Sequence, residues 1–110
     1  MGLPAKKSVV LIRFPFSDLS KSKLRPALVI ATTDHNDFVL CQITSKKYND
    51  SNSIKLTDHD FKVGSLHKES FIRYTKIFTA NNSIIITELG KLQDEKFDNI
   101  INSLVEYLRK

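Results

Sequence analysis

An arginine directly before a proline is the residue of this sequence best suited to chemistry on an anion. Arg25 follows a polar, basic stretch at residues 17–23 that reads as a solvated loop, and Pro26 comes directly after it. A proline favours extended backbone geometry in the preceding residue, so the Arg25 guanidinium should project from a stiff point where loop becomes strand. A guanidinium stays charged at physiological pH and binds two phosphoryl oxygens at once. Arg25 is therefore expected to bind an anion such as a phosphate.

The remaining titratable side chains suggest neither an acid–base pair nor a metal site. His35 falls in a predicted hairpin turn, His59 in a predicted helix cap and His67 beside Lys68. Each histidine is interpreted as structural or solvated, and His67 is the best catalytic candidate of the three. The spacing of the histidines and aspartates matches no pattern of metal ligands, so we expect no metal and no cofactor. Cys41 lies in an apolar run and is expected to be an inert core thiol.

Size and composition are typical of one soluble globular domain. The sequence has 110 residues, of which 41% are apolar and 26% charged, and residues 1–110 are treated as a single domain. It contains no apolar run of about 18 residues and no secretory leader pattern, which predicts a cytoplasmic protein that is not in a membrane. A single cysteine cannot form an internal disulfide, as expected in a reducing compartment.

Positive charge is concentrated near the start of the chain. The sequence has 17 Lys and Arg against 12 Asp and Glu, for a net charge of +5, and residues 1–28 hold six bases but one acid. A basic region attracts polyanions through the release of counterions, which favours nucleic acid as a partner. A solvated basic face with no ligand has the same composition, so charge alone leaves both interpretations open.

Apolar runs separated by turn residues predict a small β-rich fold. We predict strands at residues 9–16, 27–33, 38–43, 53–56, 70–79 and 84–89, the last ending at Gly90, with one helical turn near residues 57–61. Alternation within residues 70–79 would place Phe71, Arg73, Thr75 and Ile77 on one side of the strand. The second and third runs are apolar at successive residues, which indicates burial on both faces. Six such strands predict a compact barrel or a half-open roll.

The C-terminal segment changes to a helical period. Its apolar residues recur at helical spacing from Phe97 to Leu108, with acidic residues at the start and Arg109 and Lys110 in the expected last turn. Leu92 and Phe97 have the spacing of a hydrophobic staple. This segment is interpreted as a helix that docks on the barrel and has no role in the site.

Several motifs together resemble the MazF/PemK family of toxin endoribonucleases. They span nearly the whole chain in the family's order: Val-Leu-Ile at residues 10–12, Phe-Pro-Phe-Ser-Asp at 14–18, Lys-Leu-Arg-Pro-Ala-Leu-Val at 23–29, Ile-Thr-Ser at 43–45, and residues 66–79. The chain departs from the family at Lys7 and Ser8, where Gly-Asp is usual, and at Lys21 and Ser65, which replace glycines.

This resemblance implies a fold, an activity and partners. The implied fold is mainly β with α, a small SH3-like β-barrel with a C-terminal helix, and family members work as homodimers in the cytoplasm. They cut single-stranded mRNA at short sequence motifs without a metal, and leave a 2′,3′-cyclic phosphate and a 5′-hydroxyl. A cognate antitoxin restrains them by placing its disordered tail across the RNA groove.

The resemblance also implies site residues. The family's catalytic arginine corresponds to Arg25, and its threonine and serine at the end of the third strand correspond to Thr44 and Ser45. Residues of its third block bind RNA and correspond here to Lys68, Ser70 and Arg73. The remaining RNA-binding candidates are two aromatic residues that could stack on unpaired bases and three lysines near the predicted loops, namely Phe16, Tyr48, Lys21, Lys23 and Lys46.

Cleavage through the 2′-hydroxyl sets three chemical demands: removal of a proton, stabilisation of negative charge on phosphorus, and protonation of the leaving oxygen. The high pKa of arginine makes Arg25 a poor general base, so its first role would be stabilising the transition state and its second proton donation. Two alternatives stay open: a non-catalytic toxin of this fold that binds a protein such as a topoisomerase, and an inactive relative that only binds nucleic acid.

Overall fold

The computed structural model describes residues 4–15, 22–46 and 51–110, which form one curled antiparallel sheet and a C-terminal helix. The strands are β1 (Ser8–Pro15), β2 (Ser22–Thr32), β3 (Asp37–Thr44), β4 (Ile54–Leu56), β5 (Phe61–Gly64), β6 (Ser70–Asn81) and β7 (Ile85–Leu92), in the spatial order β4-β6-β3-β2-β1-β7-β5. Short 3₁₀ turns lie at Asp58–Asp60 and Asn82–Ile84, and helix α1 spans Asp94–Leu108. The prediction of a mainly β fold with a C-terminal helix is confirmed, although the described chain has seven strands instead of six.

The central strands are buried on both faces, as their unbroken apolar runs predicted. Leu28 and Val29 are successive residues of β2, and both are fully buried. Because successive side chains of a strand point to opposite faces, they enter two different clusters. Leu28 joins the cluster that includes Cys41, Ile72 and residues of α1, whereas Val29 joins the cluster of β1, β2 and β3 on the other face.

Register shifts occur in the pairing of β1 with β7, of β5 with β7, and of β3 with both of its neighbours. Val29 of β2 pairs with Leu40 and Ala31 with Val39, so Ile30 is an extra residue in β2. A larger bulge lies in β6, because Cys41 pairs with Ile77 whereas its neighbour Gln42 pairs with Arg73. Bulges increase local twist and let a sheet curl.

The bulge in β6 overturns one prediction. Arg73 and Ile77 pair with neighbouring residues of β3, whose side chains point to opposite faces, so the two lie on opposite faces of the sheet. Simple alternation had placed them together.

Strand pairing corrects two predicted strand boundaries and adds one strand. β2 begins at Ser22, since residues 22–26 pair with β1, so Arg25 lies inside a strand and not where a loop becomes one. β7 continues through Gly90 to Leu92 because Gly90 pairs with Gly64 of β5 and with Val9 of β1. β5 itself was not predicted.

Helix α1 docks as its period predicted. Its N-cap is Gln93, and Leu92 and Phe97 on either side of this cap are buried in the same cluster, which confirms the hydrophobic staple. Arg109 is the C-cap and Lys110 follows it, so neither lies in the last helical turn as predicted. Among the helices of the described residues, none combines the length and apolar character needed to cross a bilayer.

An ion pair joins the start of the described chain to the start of α1. The Lys7 ammonium donates to Asp94 Oδ1 at 2.8 Å, and its nitrogen lies 5.9 Å from the centre of the Phe97 ring. The hydrogen bond from Lys7 lowers the pKa of the Asp94 carboxyl, and the same bond raises the pKa of Lys7.

An Asp94→Asn variant is expected to unfold at a slightly lower temperature than the parent at neutral pH. Because the pKa of Asp94 is lowered by folding, its ion pair stabilises the protein above the ordinary carboxyl pKa of 3.8, and this stabilisation is lost as the pH falls through the folded-state value. The raised pKa of Lys7 means that the stabilisation is also lost as the pH rises above 10.5. Thermal unfolding across pH should show a Tm difference that is lost at low pH and becomes smaller above pH 10.5, where only the interaction of Asp94 with the helix N-terminus remains. A difference that persists at pH 2 would contradict the assignment.

Candidate active site

The candidate site lies where two neighbouring strands separate. Among the described residues, pairing of β2 with β3 ends at Ala27 and Gln42, beyond which β2 stays with β1 and β3 stays with β6. Pro26 directly precedes Ala27, in the part of β2 that no longer pairs with β3. A proline has no N–H to donate to a ladder of hydrogen bonds. A cavity of about 270 Å³ is present at this separation and touches residues of β2, β3, β6 and β7.

Five sequence-predicted residues line this cavity: Arg25, Thr44, Ser45, Lys68 and Ser70. They come from β2, the end of β3 and the segment that leads into β6. Chain positions from 25 to 70 are therefore brought together at one cavity, as the candidate chemistry requires.

Arg25 and Thr44 lie on the same face of the sheet. Ala27 pairs with Gln42, and Arg25 and Thr44 each lie two residues beyond this pair in their own strands. Cross-strand partners share a face. Arg25 is half-buried with its Nε buried, and Thr44 is 4% exposed. A guanidinium and a hydroxyl thus both line the cavity where the strands separate.

Within the described part of the chain, the Thr44 hydroxyl accepts a hydrogen bond and has its own proton available for a ligand. Its Oγ1 accepts the backbone N–H of Lys46 at 3.2 Å. A threonine hydroxyl can accept and donate at the same time, so this contact orients the oxygen and leaves the O–H free to turn toward the cavity. Ser45 is exposed beside it. Ser70 is 2% exposed and donates to the Lys68 carbonyl oxygen at 3.4 Å, so it holds the backbone of the segment that carries Lys68.

The other predicted RNA-binding residues are not part of this lining. Arg73 is half-buried, and its Nη1 donates to Gln42 Oε1 at 3.5 Å. Lys23 and Lys46 are exposed next to lining residues. Phe16, Lys21 and Tyr48 lie outside the described residues.

The apolar part of the cavity was not predicted from the sequence. More than half of its lining residues are apolar: Leu11, Leu24, Pro26, Ile43, Leu66 and Leu89. Leu24 is 52% exposed although it stands between two basic residues in the chain. In the sequence, the one available signal was a leucine placed between the basic residues Lys23 and Arg25. The other apolar lining residues look like ordinary core positions.

The groups judged unsuited to catalysis stand apart from the cavity. His35, His59 and His67 are exposed, and none of them lines it. Cys41 is fully buried, and burial raises the pKa of its thiol to about 12, so the predicted inert core thiol is confirmed. Within residues 4–15, 22–46 and 51–110, no three His, Cys, Asp or Glu side chains are grouped so that they could hold a metal ion.

Solved structures of similar fold come from bacterial toxins. MazF from Deinococcus radiodurans is 17% identical, each chain is covered over 100% of its length, and the TM-score is 0.76. The MazE–MazF complex from the same organism is 17% identical with a TM-score of 0.74, and 97% of each chain is covered. An endoribonuclease in complex with its cognate antitoxin, from a mycobacterial species, is 14% identical with a TM-score of 0.74, covering 96% of this chain and 94% of that one. These identities establish a shared fold.

Comparison by sequence identifies the family. A search of curated protein sequences found no match. Residues 5–108, however, match the family described as PemK-like, MazF-like toxin of type II toxin-antitoxin system. This match covers nearly the whole chain and agrees with the fold, so the protein belongs to the PemK-like, MazF-like family of type II toxins.

Proposed function

We propose that this toxin is a metal-independent endoribonuclease that cuts single-stranded mRNA at short sequence motifs. The single observation that carries the proposal is the cavity whose lining includes Arg25, Thr44 and Lys68. A permanent cation beside a hydroxyl donor suits a phosphate whose negative charge increases during reaction. Membership of the toxin family and the fold shared with MazF structures support it.

In the proposed reaction the ribose 2′-oxygen loses its proton and attacks the adjacent phosphorus. The bond from phosphorus to the 5′-oxygen breaks, which leaves a 2′,3′-cyclic phosphate, and the departing oxygen takes up a proton to become a 5′-hydroxyl. Arg25 binds two of the phosphoryl oxygens, and its charge is worth most when the phosphorane forms. Its second role is proton donation to the leaving oxygen.

The neighbouring groups have supporting roles in this proposal. Thr44 donates its hydroxyl proton to a phosphoryl oxygen, and Ser45 beside it orients the reacting ribose. Lys68 neutralises phosphate charge from across the cavity, while Ser70 fixes the backbone of Lys68 through its 3.4 Å hydrogen bond. The apolar lining, in particular Leu24 and Leu66, excludes water from the cavity and so strengthens the electrostatic interactions of these groups with the phosphate.

The same proposal covers partners and location. Similar folds are seen in complexes of MazF with MazE and of an endoribonuclease with its cognate antitoxin, which supports an antitoxin that binds this chain. We extend the proposal to a homodimer in the cytoplasm. Two other candidates for RNA contact are the exposed Lys23 and Lys46, which flank the lining residues on β2 and β3.

The activity is tested by incubating purified protein with a long RNA and a chelator, followed by analysis of the fragment ends. We expect cleavage that persists with the chelator and yields 2′,3′-cyclic phosphate and 5′-hydroxyl ends. Intact RNA that is nevertheless bound would favour an inactive nucleic-acid-binding protein. Absence of both cleavage and binding would point to a protein target such as a topoisomerase.

A Thr44→Val variant is expected to cut RNA about 10- to 100-fold more slowly than the parent, whereas Thr44→Ser keeps most of the activity. Valine removes the hydroxyl with little change of volume, and a hydrogen bond to a charged group typically contributes about 1.5–3 kcal/mol. Single-turnover rates measure the effect. Thr33→Val is the matched control, since Thr33 lies just beyond the other end of β2 and its hydroxyl donates only to the Asp37 carbonyl oxygen. Equal rates for both valine variants would contradict the role of Thr44.

A further inference from the structure

A second cavity adjoins the candidate active site through one shared residue. It has a volume of about 310 Å³ and is lined by Thr57, Asp58, His59, His67, Lys68 and Glu69. Lys68 also lines the first cavity, together with Arg25 and Thr44. An RNA strand whose phosphate occupies the first cavity would therefore pass Lys68 and reach the second with its next nucleotide.

Hydrogen bonds hold the wall of this second cavity in place. Ser65 Oγ donates to Asp58 Oδ1 at 2.5 Å and accepts the backbone N–H of His67 at 2.8 Å. His67 has a φ of 60°, a left-handed conformation that a residue other than glycine adopts at a cost. A strained residue that its surroundings hold in place is typical of a functional position. This arrangement places the His67 ring at the same cavity as His59.

The charges of the second cavity favour a nucleobase over a phosphate. Asp58 and Glu69 bring two carboxylates, which repel a phosphate, and only Lys68 among the lining residues is a permanent cation. Glu69 is partly neutralised by Lys55, whose Nζ lies 3.0 Å from Glu69 Oε2. The described lining of the first cavity, by contrast, includes Arg25 and Lys68 and no acidic residue. Along one RNA strand, the phosphate and the neighbouring base would thus meet opposite electrostatic environments.

The lining groups match the chemistry of a base with an exocyclic amino group. Histidine rings can stack on an unpaired base. Carboxylate oxygens accept hydrogen bonds, as they do from the amino group of cytosine. The only Watson–Crick donor of uracil lies between two carbonyl oxygens, which a carboxylate repels. Asp58 keeps one oxygen that is not committed to Ser65 and can serve as the acceptor.

We propose that this second cavity binds the nucleobase adjacent to the scissile phosphate and selects adenine, cytosine or guanine over uracil. The proposal rests on the proposed ribonuclease function. His59 and His67 stack on the base, and Asp58 accepts a hydrogen bond from its amino group. Ser65 positions both Asp58 and the backbone of His67, so this chain's serine at a glycine position of the family acquires a role in substrate selection.

Mapping of cleavage sites on a long RNA by sequencing of the 5′-hydroxyl ends tests the proposal. In Asp58→Asn the amide oxygen can still accept from Ser65, but the amide nitrogen is a donor. We expect discrimination against uracil at one position next to the cut to fall about tenfold, with the other positions unchanged. His67→Asn removes the ring while asparagine tolerates the left-handed conformation. It should raise KM about tenfold with little change in kcat.

His35→Asn is the matched control, since it makes the same substitution in the exposed turn between β2 and β3. It should leave the profile unchanged. A parent that cuts RNA and an unaltered profile in Asp58→Asn and His67→Asn would overturn the second site while the ribonuclease function stands. Thermal unfolding of each variant separates these effects from loss of the fold.

A parent that leaves RNA intact is tested by binding instead. Fluorescence anisotropy with short oligo(A), oligo(C) and oligo(U) RNA measures base preference without cleavage. Weaker binding of oligo(U), lost in Asp58→Asn, would support the second site and reject only the catalytic proposal. Equal binding of all three oligonucleotides would overturn the second site.

Discussion

An Arg25→Gln variant is expected to cut RNA about 10²–10³ times more slowly than the parent, the loss typical for removal of one preorganised donor to a developing oxyanion. Glutamine is similar in polarity but lacks the charge and the paired donors that hold two phosphoryl oxygens. Arg25→Lys should recover only part of the rate, because an ammonium is a point charge without the planar fork. Single-turnover cleavage in the presence of a chelator measures the chemical step.

Lys23→Gln is the matched control for Arg25. Both substitutions remove one positive charge from β2, and Lys23 is exposed two residues before Arg25. A phosphate contact made by Lys23 contributes to binding, so its loss should raise KM and reduce the salt dependence without slowing the saturated single-turnover rate. Because Arg25 is half-buried within β2, thermal unfolding must show that Arg25→Gln remains folded. Equal loss of saturated rate in both variants would mean that Arg25 contributes only its charge to the general field.

Local sequence was a good guide to the central strands and the helix. Apolar runs at successive residues, such as Leu28 with Val29, can be satisfied only by burial on both faces, and this pattern survives in the structure. The period of α1 and the staple of Leu92 with Phe97 are likewise local features. Each of these signals depends on neighbours a few residues away, which is why it can be detected without knowledge of the fold.

Boundaries set by distant partners could not be predicted in this way. Residues 22–26 are strand because β1 lies beside them, although Ser22 and Lys23 have the composition of a loop. The extra residues of β6 between Arg73 and Ile77 are visible only against β3. Phe61–Gly64 has one buried residue and a terminal glycine, so its strand character comes from pairing with β7. Tertiary context overrides propensity in all three cases.

The residues of the candidate site also differ in whether the sequence alone reveals them. Arg25 stood out in the sequence because Pro26 directly follows it at the end of a basic stretch. Thr44 was found through the family resemblance alone. The apolar lining had no such mark, since Leu11, Leu66 and Leu89 are indistinguishable from core residues until the separation of β2 from β3 is known. Polar residues that line the cavity could therefore be named from the sequence, whereas the apolar residues that shape it could not.

A Gly64→Ala variant is expected to lose roughly 2–5 kcal/mol of the free energy of unfolding, combining the typical costs of overpacking and of a strained backbone. Gly64 has a φ of 79°, and an added Cβ would overlap the carbonyl oxygen of Leu89 in the paired strand β7. Leu89 lines the candidate site, and the segment that carries Leu66 and Lys68 begins one residue after Gly64. Denaturant unfolding should therefore show reduced stability, and cleavage activity should decline with it.

Gly90→Ala separates the two causes, because Gly90 lies opposite Gly64 in the register and carries no positive φ. Its added Cβ would overlap the Val63 carbonyl oxygen and lie 2.9 Å from the Phe61 ring, so overpacking alone should cost roughly 1–3 kcal/mol. Since the nearest overlap is with backbone, a second substitution of Phe61→Leu should not restore stability. Recovery of stability in that double variant would show that β5 and β7 can move apart. The close approach of Gly64 and Gly90 would then not be required to position Leu66 and Lys68 at the cavity.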